Sequence, residues 1–476
     1  MPKLTTTQRV LFSDLFQKPV EVQFDDECSS SDGGAILLKA AEAKLDLIGH
    51  LADSLEDDRQ SGKVRHSLKD LLAQRTYALC CGYADGNDAG KLASDPIFKL
   101  LLDRDPIEGE DLASQPTLCR FENSVGPREL YRMGVALAER VVERHRRRLG
   151  RRVRRVTIDL DPTEDPTHGG QQLSLFNGHY NTWCYLPVAG FLTFNDEPES
   201  YLFATVLRPG NAPATLGAAG LLSRIIERLW QAFPQVKIRV RLDGGFANPE
   251  LLDFLDAVGV EYAVAMAKNS VLQRFAEPLM RKARARSRQT EQTEHFYGEC
   301  RYKTKSWSCK RRVIYKAEVT RHPGRSPRDN PRFVITNMKQ RPRWIYEKVY
   351  CWRGEIENRI KELHHGLEIG RTSCRRFWAN QLRVLMTAAA FVVMQELRLW
   401  ASKTSCGRAQ VSTLREQLIK LAARVIVSTR RIVLHLPASC PFANQWRRIA
   451  CSLGAAYGWM CPVVRGLWFG VASCRV

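Results

Sequence analysis

The sequence predicts an α/β protein in which a mixed sheet is flanked by helices, interrupted by a β-rich insertion and preceded by a helical region. Three observations predict it. Runs of period-2 hydrophobicity begin only after residue 150; they alternate with helical runs as far as residue 267; and a strongly basic stretch separates them from a final helical part. At 476 residues the chain exceeds one compact core, so several units are expected.

Residues 1–66 are mixed and partly acidic, with a polar Ser-Ser-Ser-Asp-Gly-Gly stretch at 29–34, and read as an arm with some local order. The next unit, 67–150, is helical. A periodic run through Leu68, Leu71, Leu72 and Tyr77 stops at Gly82, and Pro-Thr-Leu-Cys-Arg-Phe-Glu-Asn at 116–123 starts like a capped helix carrying Arg120. Two short helices around a Gly-rich turn suit a helix-turn-helix DNA reader and equally a plain helical bundle. A longer helix from Pro127 ends in the basic run Arg144 to Arg148, which suits either a solvated helix end or a grip on phosphates.

The strand period then takes over in 151–269. Residues 153–160 alternate around Val156, Ile158 and Leu160, and strand-like runs succeed it at 183–192, 201–207, 236–242 and 261–267. Helical runs at 214–232 and 248–258 lie between the later ones. Three strands, then helix, strand, helix and strand, match the ribonuclease-H-like order. Residues 270–340 form the basic insertion, with Arg281, Lys282, Arg284, Arg286 and Arg288, then Lys310, Arg311 and Arg312, and strand-like runs at 312–319 and 332–336. Helices resume in 341–402, including an apolar one at 380–399. The last unit, 403–476, has a helical run at 414–424 and a strand-like run at 431–436.

A net charge of +21 and a pI near 9.6 predict a polyanionic partner, nucleic acid before an anionic membrane. No apolar run looks long enough to span a bilayer, since 385–394 is short and flanked by Arg383 and Glu396. The first residues, MPKLTTTQRV, carry no apolar signal core, so a cytoplasmic, nucleoid-associated protein is expected. The fourteen cysteines include no CxxC pair and read as reduced thiols rather than zinc ligands.

The segment 346–364 carries the chemistry. Tyr350, Arg353 and Glu357 are spaced by 3 and 4, which stacks them on one α-helical face with Lys361 a turn further on. An ordinary solvated helix with i,i+4 ion pairs has the same spacing. Upstream, Asp159 and Asp161 share one face of the first strand, and Asp243 closes the strand 236–242 before two glycines. Each alone is as ordinary as any turn aspartate. Together, two aspartates on adjacent strands and a glutamate on a later helix suit two Mg²⁺ ions that take oxygen ligands, and Mn²⁺ is able to substitute.

At these residues the chain resembles the DDE transposases of bacterial insertion sequences, most closely the branch called insertion-sequence family thirteen-eighty, a relative of family four. The family-four signature is Tyr, two residues, Arg, three residues, Glu, six residues, Lys; Tyr350, Arg353 and Glu357 match it. His364 stands where the signature has lysine, which leaves Lys361 as the candidate substitute. Branch-like strings are IDLDPTEDPTHGGQQLSLFNGHY (158–180), CYLPVAGF (184–191), LRPGN (207–211), VRLDGGFANPELLD (240–253), NPRFVITN (330–337), YCWRGEIENRIKEL (350–363), RTSCRRFWANQLR (371–383) and GYADGND (82–88). The likeness covers roughly 65–440; the stretch beyond, with Trp459, Cys461, Trp468 and Cys474, resembles the branch poorly and is assigned no function.

The resemblance implies catalytic, metal-holding Asp161, Asp243 and Glu357. It prefers Asp161 over Asp159, because Asp161-Pro162-Thr163 fits the family's Asp-x-Thr. Tyr350 and Arg353 would contact phosphates and brace the glutamate's helix. Related transposases stack an aromatic residue of the insertion on a flipped base; Trp307, among Lys310, Arg311 and Arg312, is the candidate by type and place, and it suits the insertion's own core equally well. The implied protein binds double-stranded DNA at transposon ends and at a target, works as a homodimer holding two ends, and has no membrane partner. Two rivals share these features: a domesticated DNA-binding protein that no longer cuts, and a metal-dependent nuclease without strand transfer.

Overall fold

The computed structural model describes residues 10–13 and 17–456; Trp459, Cys461, Trp468 and Cys474 lie outside the described residues. Its centre is a mixed sheet. We number the strands β1 (Arg155–Pro162), β2 (Val188–Phe194), β3 (Tyr201–Val206), β4 (Lys237–Leu242), β5 (Glu261–Met266), β6 (Glu294–Tyr302), β7 (Arg311–Thr320) and β8 (Arg332–Thr336). Across the sheet they run β6-β7-β8-β5-β4-β1-β2-β3, and a two-residue strand, Arg328–Asp329, pairs with β7. β4 is parallel to both β1 and β5, and the outer pairs are antiparallel.

Among the helices packed around the sheet we number α1 (Leu68–Cys80), α2 (Pro127–Leu149), α3 (Ala218–Ala232) and α4 (Phe377–Trp400). The first starts where a Ser67–Asp70 capping box satisfies the free N–H groups of the helix end. α4 is buried along almost its whole length, against α1, α2 and β3. By length and composition it is apolar enough to cross a membrane, contrary to the expectation drawn from 385–394, and it is a buried core helix here. Its few polar side chains serve the sheet edge. Gln381 and Gln395 accept hydrogen bonds from the amides of Leu207, just past β3, and Leu202 within it, at 2.6 and 3.0 Å, so the outermost strand has no free edge at those points.

Several expected elements take another form. The arm expected at 1–66 contains the core helices Ile36–Leu45 and Leu47–Ala52, whose Leu37, Leu38, Leu45, Leu47 and Ile48 are buried. The run at 183–192 is two strands, because Pro187 has no N–H for a ladder; Thr182–Tyr185 joins a separate small sheet and β2 joins the large one. The basic stretch 270–340 opens with a helix, Ser270–Thr290, and its strands β6–β8 continue the central sheet through β5. The helix expected at 414–424 stops by Ile419, and the β-branched Val425, Ile426 and Val427 enter a strand, Ala423–Ser428, that pairs with Ser29–Ser30.

In the region expected to read DNA, α1 is buried from Leu71 to Cys80, and further short helices separate it from Gln115–Ser124, which leaves Arg120 exposed. The basic run at the end of α2 is engaged with carboxylates. Arg144 pairs with Glu396, Arg146 and Arg147 with Glu143, and Arg148 with Glu197. All described cysteines are free thiols.

Candidate catalytic site

β1 is a central strand, so both its faces are covered. Val156, Ile158 and Leu160 point to one side, and Asp159 and Asp161 to the other. The two aspartates meet different partners. Asp159 lies opposite Arg241 in the β4 register and is fully buried. Arg241 grips both of its oxygens, at 2.8 and 2.6 Å, and spends a third donor on the Val349 carbonyl at 3.1 Å. This is a closed bidentate pair with its donors turned inward.

Asp161 stands one step further, where β4 has ended. The chain leaves β4 through Asp243, whose Oδ1 accepts from the Gly245 amide at 2.9 Å and caps the turn. A Cβ on Gly245 would lie 2.9 Å from the Ala214 side chain, so this tight turn favours glycine. One guanidinium nitrogen of Arg353, Nη2, lies 2.6 Å from Asp161 Oδ1 and 3.9 Å from Asp243 Oδ2. The Arg353 Nε–H is buried without a partner among the described residues. Burial pushes the Asp161 carboxyl up to about 7; Arg353 opposes the rise, and the charges of Asp243, Glu357 and Asp159 add to it.

Residues 342–366 form one helical rod with changing winding. Ile345–Tyr350 is wound as a π-helix, Cys351–Arg353 as a 3₁₀ turn, Gly354–Lys361 as α-helix and Glu362–Gly366 again as π. The single α-helical face expected from spacing is therefore corrected. From the rod, Arg353 reaches both aspartates, and the charge of Glu357 is felt by Asp161. Burial raises the Tyr350 hydroxyl, with the charge of Arg353 opposing and that of Asp243 adding. Glu357 is exposed and takes no hydrogen bond or ion pair among the described residues. The rod is bolted down by Glu362, which is buried between Arg359 and Arg398 and accepts the Val411 amide at 3.1 Å.

His364 reaches Thr163, the residue two past Asp161, with Nε2 2.8 Å from its hydroxyl. Burial holds this imidazole below its usual range, so it is a neutral partner and not a cationic replacement for lysine. Lys361 is exposed, with no partner among the described residues.

The insertion residues sit elsewhere. Trp307 is 4% exposed, edge-on to Tyr302 at 5.6 Å and under the Arg311 guanidinium at 5.3 Å. It is packed into the core and presents no face to a base. Arg311 is committed to Asp253 and Asp256, and Arg312 to Glu299 and the carbonyls of Met338 and Gln340. Lys310 alone of that trio is exposed. Spacing does not point to Arg241, whose pairing with Asp159 depends on strand register. The alternation Ile238-Arg239-Val240-Arg241-Leu242 is the one available hint, since it puts both arginines on the face opposite the aliphatic side chains.

Among the described residues, no group of three or more His, Cys, Asp or Glu side chains is closed up as a metal cluster. The donor chemistry nonetheless fits a hard cation. Asp161 and Asp243 share one cationic partner, the Arg353 guanidinium, and Glu357 is a free carboxylate whose charge Asp161 feels. The family model described as transposase DDE domain group 1 matches residues 12–456, beyond both ends of the stretch 65–440. No curated relative matches the chain. With the match spanning nearly the whole length, the chain belongs to the DDE transposase family.

Proposed function

We propose that this protein is the transposase of an insertion sequence of the family thirteen-eighty branch, related to family four. It binds the element's terminal inverted repeats, cuts at its ends and joins the freed 3′ hydroxyls to target DNA. The single observation that carries this reading is the convergence of Asp161 and Asp243 on one cation, beside the free carboxylate of Glu357. The core of strands β1–β5 with its helices is read as ribonuclease-H-like, residues 67–150 as the DNA-binding region with Arg120 exposed on it, and 270–340 as a basic extension along DNA.

Asp161, Asp243 and Glu357 would hold Mg²⁺, as two ions. When bound, such ions supply a clamp on the attacking and leaving oxygens of an in-line displacement. The chain's own residues do the rest. Arg353 neutralises Asp161 before DNA arrives, and its unpartnered Nε–H offers a donor to a phosphate oxygen. Tyr350, beside it, offers a hydroxyl to the same strand. Thr163 and His364 fix the chain that leaves Asp161, and the closed Asp159–Arg241 pair holds β1 and β4 in register behind it. Exposed Lys361 and Lys310 add charge for the DNA backbone. A homodimer brings two ends together.

The test is an excision assay in cells, with the gene's native flanking DNA bracketing a marker and wild type run beside Glu357→Gln. Excision with wild type and none with Glu357→Gln, which still binds the ends, is expected. Substantial excision by Glu357→Gln would remove the glutamate from the site.

A further inference from the structure

Immediately after Asp161 the chain builds a small three-stranded sheet from Asp165–Pro166, Leu175–Asn177 and Thr182–Tyr185. The last two strands form a hairpin. In its register Leu175 faces Cys184 and Phe176 faces Trp183. Side chains alternate along a strand, so these two pairs lie on opposite faces. Cys184 is fully buried. Phe176 and Trp183 are 49% and 58% exposed, with ring centroids 6.2 Å apart and edge to face. The cross-strand contact steadies the hairpin by about 0.2–1 kcal/mol, and it leaves about half of each ring's surface open to a ligand.

The hairpin is anchored on its other side. Asn177 donates to the Gly210 carbonyl at 2.7 Å, and a Cβ on Gly210 would lie 2.1 Å from the Cys184 carbonyl oxygen, so only glycine lets the two backbones meet. The Tyr185 hydroxyl donates to the Gln172 carbonyl at 2.8 Å, and the Arg208 guanidinium, itself buried, donates to the Leu186 carbonyl at 2.9 Å. The sequence strings 158–180, 184–191 and 207–211 supply these parts, and the catalytic reading uses only the first few residues of them.

Its position relates it to the catalytic centre. The Thr163 amide donates to the Pro187 carbonyl at 2.9 Å, which ties the residues after Asp161 to the end of the hairpin. At the hairpin's turn, Tyr180 lies within the electrostatic reach of Glu164, Asp161 and Asp243. Arg375 is exposed, forms no ion pair among the described residues, and is joined to the same unit by a hydrogen bond from the Gln172 amide to its carbonyl at 2.9 Å. Two exposed rings on a unit tied to the proposed phosphodiester-cutting site, in a chain of net charge +21, are complementary to an unpaired DNA strand, which offers both base faces and phosphates.

We infer that Phe176 and Trp183 form a stacking platform for unpaired bases of the DNA strand leading into the catalytic carboxylates. This rests on the proposal that the protein acts on DNA. Base–aromatic stacking is tolerant of sequence, so the platform takes any base and needs only that it be unpaired. It is separate from Trp307, which is buried.

The test uses the full chain carrying Glu357→Gln, so that no probe is cut. Binding is read by fluorescence anisotropy with a labelled single strand of about twenty nucleotides of mixed sequence, and with its duplex, a length that covers one stacking site. Trp183→Ala should weaken single-strand binding by about 5- to 150-fold and leave duplex binding within about twofold. Trp183→Phe, which keeps an aromatic face, should retain most of the affinity, and Phe176→Ala should lose less than Trp183→Ala. A 2-aminopurine in the single strand should be quenched on binding to the parent and not to Trp183→Ala. Equal loss on both DNA forms, or no loss on either, overturns the platform while DNA binding by the parent stands. A parent that binds neither form overturns the DNA-acting reading as well.

Discussion

Asp159 and Asp161 are two residues apart on one strand face, each paired with an arginine, and their surroundings differ in every other respect. Asp159 is fully buried, held at both oxygens by its cross-strand neighbour, and its arginine is turned toward backbone. Asp161 is held at one oxygen by an arginine that leans toward a second aspartate and keeps a buried N–H unpartnered. The first pair is closed to an outside group by burial, with all three of the arginine's nitrogens already bonded inside the protein. The second leaves a donor or acceptor at every component. Of two eligible carboxylates in one motif, burial and committed partners set Asp159 apart from Asp161, and this supports the proposed role of Asp161.

The largest effect that can break this comparison is on activity. Asp161→Asn should reduce excision by about 10³-fold or more, with end binding retained, because a neutral amide cannot serve as an anionic ligand. Asp159→Asn should weaken excision only as far as it loosens the strand pair. The same excision assay reads both, and the reverse order would move the catalytic role to Asp159.

Stability separates the two arginines next. Arg241→Ala strands a fully buried carboxylate and should cost about 3–5 kcal/mol in denaturant unfolding. Arg353→Ala should cost about 1 kcal/mol or less, because Asp161, already pushed up to about 7, takes a proton in place of its partner. Equal losses would mean that both pairs are structural.

A third aspartate sharpens the comparison at the smallest scale. Asp165 is buried with no cation beside it; Thr372 donates to one oxygen at 2.7 Å and the other has no partner among the described residues. Burial raises it from 3.8 to about 7, with the Thr372 bond opposing. A carboxyl whose folded pKa is raised binds its proton more tightly in the folded state. Its contribution is therefore fully present below about pH 3.8 and is lost as pH rises to about 7. Asp165→Asn should unfold less readily than the parent at pH 8, by about 4 kcal/mol at most, and the gap should close toward pH 4. Urea titrations at the two pH values read it; a gap that does not depend on pH would mean that Asp165 is not neutral when folded.

Much of this is legible in the sequence where the cause is local. The alternation Val156, Ile158, Leu160 marks β1 because its aliphatic side chains fill one face while Thr157, Asp159 and Asp161 occupy the other, and Asp243 before two glycines marks a strand end. Tyr350, Arg353 and Glu357 lie together in the sequence as well as in space. The Asp159–Arg241 pair is not legible, since the register of β1 against β4 is set by the whole sheet. Nor is the π and 3₁₀ winding of 342–366, which no residue spacing in the segment marks. Trp307 is of the right type in the right neighbourhood, and only packing shows that its face is covered. The helices at 36–52 are within reach: Leu37, Ala41, Leu45 and Ile48 keep a helical period, overshadowed by the acidic residues before them.

The interlocking of early and late segments bears on how the protein comes to exist in a cell. Ser29–Ser30 pair with Ala423 and Arg424, and α1 packs against α4, whose Ala390 carbonyl accepts from the Cys80 thiol. These contacts span most of the polypeptide, and at about 5–20 residues per second the ribosome takes about 20–80 s to deliver the later partner. During that interval the apolar side of α1 is bare. A nascent chain therefore has no finished fold until synthesis is nearly over, and a product that ends before α4 keeps that apolar side exposed and is aggregation-prone.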